Sequence, residues 1–252
     1  MAPIVPVLFE GSMRHHAALA VFVALLPACR QLDSANVETN QIKASFTAVA
    51  EGSGCGGGVT VEGSLTTVDE RGSADIHLTG GENLTVSYQG DSTTMSETSV
   101  MNTTSFEAEL SEEGKGGELV VAFKRSKEHA SASRTVVEMP PGFKISFPKS
   151  GDDLSRAKDA VVFSWDNPSG DTMTWSADGS CIAPAEGKTP GDSTQITIPA
   201  GTFQQVSGAK SNTCEVTITV ERRRKGVPDG ALAKGSEITG IQRRKIHFDS
   251  EP

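Results

Sequence analysis

Cys214-Glu215-Val216-Thr217-Ile218-Thr219-Val220 alternates between side chains suited to a core and side chains suited to water. A repeat of two is the signature of a strand with one face buried, because successive Cβ atoms leave a pleated backbone on opposite sides. Valine and isoleucine reinforce it, since their branched Cβ packs well on that surface. Outward from this run the same reading recurs. Val59-Thr60-Val61-Glu62-Gly63-Ser64-Leu65 places Val59, Val61 and Leu65 on one face, with Gly63 between them. Further short runs at 42–49, 74–78, 84–88, 106–110 and 119–123 are separated by Gly, Asn or Asp. After Pro140-Pro141-Gly142 a second series follows at 143–147, 160–165, 172–177, 195–198, 214–220 and 238–248. Paired prolines cannot continue a hydrogen-bonded ladder, so they mark the expected boundary. The expected fold is therefore all-β: two consecutive antiparallel β-sandwiches, over residues 41–139 and 142–252. The single helix candidate is 152–159.

Composition agrees. Hydrophobic residues make up 36% of the 252, and 26 glycines accompany many Thr, Ser and Val, a balance poor in helix formers. The net charge of −9 excludes nucleic acid as the expected partner, because phosphate binding needs a basic face.

The N-terminal stretch carries an address. Residues 17–26 are an unbroken apolar run, preceded by Arg14, His15 and His16 and followed by Pro27-Ala28-Cys29. A positive flank, a short apolar segment and small residues at its exit read as a secretory signal over 1–28. The run is too short for a bilayer span, which takes about 20 apolar residues. Residues 1–12 lack positive charge and include Glu10, which makes Met13 the expected start. Leu26-Pro27-Ala28-Cys29 resembles the lipobox of bacterial lipoproteins, in which the cysteine is diacylated and becomes the first mature residue. That resemblance implies lipidation at Cys29, a membrane partner and the cell envelope as location. Arg30 stands where an Asp favours inner-membrane retention, which implies the outer membrane. Polar residues 30–40 lack periodicity and read, with Cys29, as a tether (29–40).

Export permits disulfides. Cys181 ends one expected strand and Cys214 opens another, and their pairing closes a loop of about 34 residues, worth roughly 3–4 kcal/mol on chain-entropy grounds. Cys55, within Gly52-Ser53-Gly54-Cys55-Gly56-Gly57-Gly58, is left over.

Val161-Val162-Phe163-Ser164-Trp165, followed by Asp166-Asn167-Pro168 and then Trp175, resembles the core tryptophan strand of fibronectin type III and immunoglobulin-like sandwiches. The resemblance covers 142–249. Ile196-Thr197-Ile198-Pro199-Ala200-Gly201-Thr202-Phe203, the Cys214 strand, Arg222 and the closing Ile246-His247-Phe248 are similar to a group of uncharacterised bacterial lipoproteins, which implies architecture and address but no activity.

Few residues point to chemistry. His77, His129 and His247 stand on separate segments, so no metal site and no cofactor are expected. Gly-Asp-Ser-Thr occurs twice, and a serine hydrolase would need Ser92 or Ser193, yet neither lies in a strand-turn-helix elbow. The glycines around Cys55 lack the Gly-Lys-Ser/Thr of a phosphate loop. Asp166, Asp171 and Asp178 offer oxygen ligands for calcium without EF-hand spacing, and turn chemistry accounts for them better. One feature departs from the acidic whole: Arg222-Arg223-Arg224-Lys225 and Arg243-Arg244-Lys245, expected on neighbouring antiparallel strands. Such a patch fits an anionic envelope polymer or lipid headgroup, but the protection of an edge strand accounts for it better. The expected function is a non-catalytic binding or structural module of the envelope with a polyanion or protein partner. The alternatives are an assembly or chaperone-like lipoprotein, then a hydrolase.

Overall fold

The structure is a computed structural model that describes residues 30–52, 57–69, 72–111, 115–149, 151–191 and 193–252. Strands dominate it. In the first half they are β1 (Gln31–Asp33), β2 (Lys43–Glu51), β3 (Val59–Asp69), β4 (Gly72–His77), β5 (Asn83–Tyr88), β6 (Asp91–Thr94), β7 (Ser96–Val100), β8 (Thr103–Leu110), β9 (Gly117–Lys124) and β10 (Ala132–Met139). The second half adds β11 (Ile145–Phe147), β12 (Asp153–Ser155), β13 (Val161–Trp165), β14 (Gly170–Gly179), β15 (Ala185–Gly191), β16 (Gln195–Ile198), β17 (Cys214–Lys225) and β18 (Glu237–Glu251). Two short 3-10 turns, Ser34–Asn36 and Thr39–Gln41, follow β1.

These strands build three sheets. An 11-stranded sheet runs β1-β4-β3-β2-β18-β17-β14-β15, with β7, β8 and β12 attached off this path. A four-stranded sheet, β10-β9-β5-β6, covers one end of it, and a three-stranded sheet, β11-β13-β16, covers the other. Two sandwiches therefore share one continuous sheet. The expectation of all-β sandwiches is met, with one addition: β1–β4, β12–β18 and β18–β2 pair in parallel, and the remaining pairs are antiparallel.

Each sandwich has its own core. The first gathers Phe46, Val61, Leu65 and Phe106 from the large sheet and Leu84, Val86, Leu119, Val121 and Phe123 from the four-stranded one. The second gathers Phe163, Trp165, Trp175, Val216, Ile218, Val220 and Phe248. Each such side chain contributes roughly 1.5–3 kcal/mol when fully withdrawn from water. Gly63 lies between Phe46 and Phe106 in register, and a Cβ there would sit 2.3 Å from the Phe46 ring. The glycine in an otherwise apolar row is thus the space one aromatic ring occupies.

Three sequence expectations change. Residues 30–40 are not a free tether. β1 pairs with β4, and Ser34 and Thr39 are 0% and 3% exposed. Polar residues without periodicity can be ordered from outside, here by buried side chains of the first sandwich. The boundary at Pro140-Pro141-Gly142 does not separate two closed units either. Ile238 at the start of β18 lies in the first core, whereas Ile246 and Phe248 near its end lie in the second. Residues 152–159 form no helix. They make β12 against β18 and then one turn, in which Asp159 N–H donates to Ser155 O at 2.9 Å and Ser155 N–H to the Asp159 carboxylate at 2.8 Å.

Candidate functional site

The basic segments do sit on neighbouring antiparallel strands. β17 and β18 are in register with Val220 opposite Arg244, Glu221 opposite Arg243 and Arg222 opposite Gln242. Alternation then divides the seven cations. Arg222, Arg224 and Arg244 share the face of Val216, Ile218 and Val220, whereas Arg223, Lys225, Arg243 and Lys245 share the opposite face. The patch expected from sequence is two half-patches back to back.

The inner half is a clasp. Arg222 is 0% exposed; it donates to Pro141 O at 2.7 Å and Asn167 O at 2.8 Å, with its guanidinium 4.8 Å from the centre of the Phe143 ring. Arg244 donates to Phe143 O at 2.7 Å and to Ala50 O at 3.3 Å, and stacks on the same ring at 5.1 Å. Gln242, also 0% exposed, donates to Pro140 O at 3.0 Å. The linker carbonyls are thus satisfied by side chains of the shared sheet, as buried carbonyls require. Gly240 permits the approach, since a Cβ there would lie 2.9 Å from Met139 Sδ and 3.2 Å from Pro140 Cδ. Burial pushes both guanidinium groups, Arg222 and Arg244, below their ordinary pKa. Arg224 is engaged by Asp171 through a fork of two bonds, 2.8 and 2.7 Å. Burial raises the Asp171 pKa, but Arg224 and the Ser169 hydroxyl outweigh it and hold the group below its ordinary value. Arg222 cannot meet a surface ligand, which corrects its place in the expected anion patch.

The outer half is largely paired, with Arg223, Lys225 and Lys245 exposed and Arg243 half-buried. Glu221 bonds both Arg223 and Arg243, and Arg243 also reaches Glu51 at 2.7 Å. Lys245 lies 3.7 Å from Glu51. The Arg243 bond, with Lys245 nearby, holds Glu51 below the usual carboxylate range. Beside this array lies a shallow depression of about 680 Å³ on the sheet, lined by Thr174, Ser176, Glu186, Lys188, Thr219, Glu221 and Arg223 among others. Its charges are of mixed sign, with Glu186 and Glu221 beside Lys188 and Arg223.

The other candidates are dispersed. Asp166 accepts the Lys144 N–H at 2.6 Å, Asp171 is committed to Arg224, and Asp178 lies seven residues along β14 from Asp171, roughly 23 Å of extended chain. No group of three potential metal ligands occurs among the described residues. Ser92 is exposed on β6, and the Ser193 hydroxyl lies 3.5 Å from that of Thr189. His77 pairs with Glu97, and His247 meets Thr217 at 3.0 Å and Glu215 at 3.6 Å. His129 is more enclosed than a solvent-facing histidine, with a side chain 11% exposed, and its Nε2 lies 3.0 Å from Ala35 O. Cys181 and Cys214 are disulfide-bonded, with Cα atoms 5.7 Å apart. Cys29 and Cys55 lie outside the described residues.

Two further buried arginines escaped the sequence reading. Arg125 donates to Ser34 O at 2.7 Å, Val37 O at 3.0 Å and Thr39 Oγ1 at 2.9 Å, and its Nε lies 2.9 Å from Glu82, with both side chains 0% exposed. Burial acts to raise the Glu82 pKa, but the Ser126 N–H, Arg125 and Ser34 outweigh it and hold the group low. Arg156 donates to Ser250 O at 3.3 Å, Ser250 Oγ at 3.1 Å and Asn212 O at 2.8 Å, beside the disulfide. Lone arginines among polar neighbours carry no sequence signal of this kind, because each reaches carbonyls far along the chain.

No family model matches the chain, and no curated protein matches it. Among solved structures it is similar to titin Ig tandem domains A164-A165, at 9% identity and a TM-score of 0.19, over 82% of this chain and 98% of that one. It is also similar to the I-band fragment I67-I69 from titin, at 10% identity and a TM-score of 0.20, over 77% and 75%. The architecture described above rests on the sheets and their registers alone.

Proposed function

We propose that this chain is a lipid-anchored protein of the cell envelope, held at Cys29, that works as a non-catalytic structural or binding module. The observation that supports the module reading is β18, which supplies apolar residues to both cores and makes the two sandwiches one post instead of beads on a linker. A post of this kind transmits position: whatever anchors one end sets where the other end's surface lies. The anchor itself is supported by the apolar run of residues 17–26 and the Leu26-Pro27-Ala28-Cys29 exit. The mixed charges around Glu221, Lys188 and Arg223 favour a protein partner over a polyanion.

Metabolic labelling with a palmitate analogue tests the anchor. The natural chain is expected to take the label, and Cys29→Ala to lose both label and membrane retention; a Cys29→Ala chain that stays membrane-bound removes the reading. The partner class is tested by adsorption to anionic and neutral vesicles at low and high salt. Equal adsorption is expected. A preference for anionic vesicles that salt screens and Arg223→Ser abolishes restores the polyanion.

A further inference from the structure

Three large apolar side chains are exposed among the described residues, and two of them are adjacent: Val100 is 60% exposed and Met101 89%. They form the tip of the β7–β8 hairpin. Val100 pairs with Thr103, so Met101 and Asn102 are a two-residue turn, with φ of 50° and 63°. Turns with two positive φ values favour Asn-Gly or Asp-Gly, because a side chain with a Cβ is strained there. Met101 therefore gains nothing from packing and nothing from its backbone. Two adjacent apolar side chains at a hairpin tip are available to an apolar surface outside the chain.

The start of β1 lies at the same corner. The Gln31 amide donates to Ser99 Oγ at 3.1 Å and Thr104 Oγ1 at 2.8 Å, a cross-strand pair directly behind the tip. Arg30 O accepts the Asp75 N–H at 2.9 Å, and the Asp75 carboxylate accepts the Thr104 N–H at 3.0 Å. The direction of the chain follows from the register. β1 runs parallel to β4 from Asp75 to His77, and His77 meets Glu97, which is farther from the tip than Ser99. Traced backwards from Asp33 to Arg30, the chain heads toward the tip. Arg30, the residue that follows Cys29 in the sequence, is therefore held at the hairpin end of the sheet through Asp75, and an anchor at Cys29 would be attached one residue before it.

We propose that the Val100–Met101 tip docks into the lipid surface next to the anchor, so that this end of the first sandwich rests on the bilayer. The proposal rests on the lipid-anchor reading of Cys29 and deepens it. The tip reaches two residues past the Ser99–Thr104 pair, roughly 7 Å, which matches the depth to which apolar faces enter the headgroup and acyl boundary. Two apolar side chains alone hold a protein weakly. Beside a lipid anchor they act intramolecularly, and they serve to fix orientation, not to supply binding. Docking of residues 31–41 onto the fold serves the same end, because a free tether would let the post swing.

The test uses the full acylated protein in phosphatidylethanolamine–phosphatidylglycerol vesicles, with and without brominated acyl chains. Tryptophan is placed at the tip by Met101→Trp and, with an ordinary backbone, by Val100→Trp. The control is Ser92→Trp. Asp91 accepts from Ser111 just past the end of β8, which puts β6 at the opposite end of that strand, roughly 25 Å from the tip. Trp165 and Trp175, 4% and 9% exposed, supply the constant background. Tip emission is expected to shift to the blue and to lose most of its intensity with brominated lipid, while the Ser92→Trp signal stays unchanged. An acylated protein whose tip emission is unaffected in both variants overturns the docking and leaves the anchor standing, and quenching of Ser92→Trp overturns the orientation. Failure of Cys29 to take acyl label overturns the anchor and the docking together.

Discussion

Arg125 in the first sandwich and Arg222 at the junction are both enclosed by protein, yet they are neutralised differently. Arg125 is buried with a carboxylate, Glu82, besides three oxygens of residues 34–39. Arg222 has two carbonyls, the Met173 thioether at 3.4 Å and the face of Phe143, with Asp166 and Asp171 acting only from a distance. The difference shows what each is for. A buried ion pair is costly to assemble and costlier to break, so Arg125 makes the first sandwich depend on its N-terminal segment. Arg222 ties the Pro140-Pro141 linker to the shared sheet through carbonyls and no bonded carboxylate, so its loss strands dipoles instead of an ion.

The largest test of that contrast is Arg125→Met. It leaves the Glu82 carboxylate unpaired in the interior, and the expected loss is about 3–5 kcal/mol of unfolding free energy in urea. Adding Glu82→Gln to the same chain should recover a good part of it. A double variant no more stable than the single one would mean that the pair is not coupled.

Arg222→Met keeps the side-chain volume and removes both bonds to the carbonyls of Pro141 and Asn167. The expected cost is about 2 kcal/mol, less than at Arg125, because no charge is stranded. Its more telling readout is calorimetric. The natural chain should unfold in one transition, since β18 crosses both cores, and the variant should broaden toward two as the linker loosens. An unchanged single peak would show that β18 alone couples the sandwiches.

The smallest effect separates the two regions by acid. Glu82 and Asp171 are both held below their ordinary pKa, so the unfolded chain binds protons that the folded chain refuses. Their contribution is complete above the unfolded values of about 4, and it is lost as pH falls through the lower folded values. Thermal unfolding followed from pH 7 to 3 should show stability dropping below about pH 4. Glu82→Gln is expected to flatten that drop more than Asp171→Asn, because Asp171 remains 11% exposed and Glu82 is sealed. Equal flattening would erase the distinction between sealed and half-sealed pairs.

Much of this was legible in advance, and the exceptions share one cause. The runs at 59–65, 84–88, 119–123, 161–165 and 214–220 are strands because their alternation is strong and their buried faces apolar. β1, β6, β7 and β12 were missed because they are short and polar and are paired from outside. β10 and β15 were missed because alternation is broken there by Arg134 and by Gly187 and Pro190. In the basic segments the strands and their antiparallel neighbours were legible. The division of their charges between interior and surface was not, because alternation says which residues share a face but not how deep that face lies once a linker crosses it.

By itself the amino-acid sequence determined the all-β class, the two sandwich cores and the pairing of Cys181 with Cys214, each of which follows from local period or from a small number of reactive groups. Only the tertiary structure decided that β18 belongs to both cores, that residues 31–41 are held instead of loose, and that Arg222 lies inside while Arg223 lies outside. Those outcomes depend on carbonyls brought together from positions such as 34, 141 and 212, and a guanidinium's preference for them becomes definite only when the fold has placed them within reach.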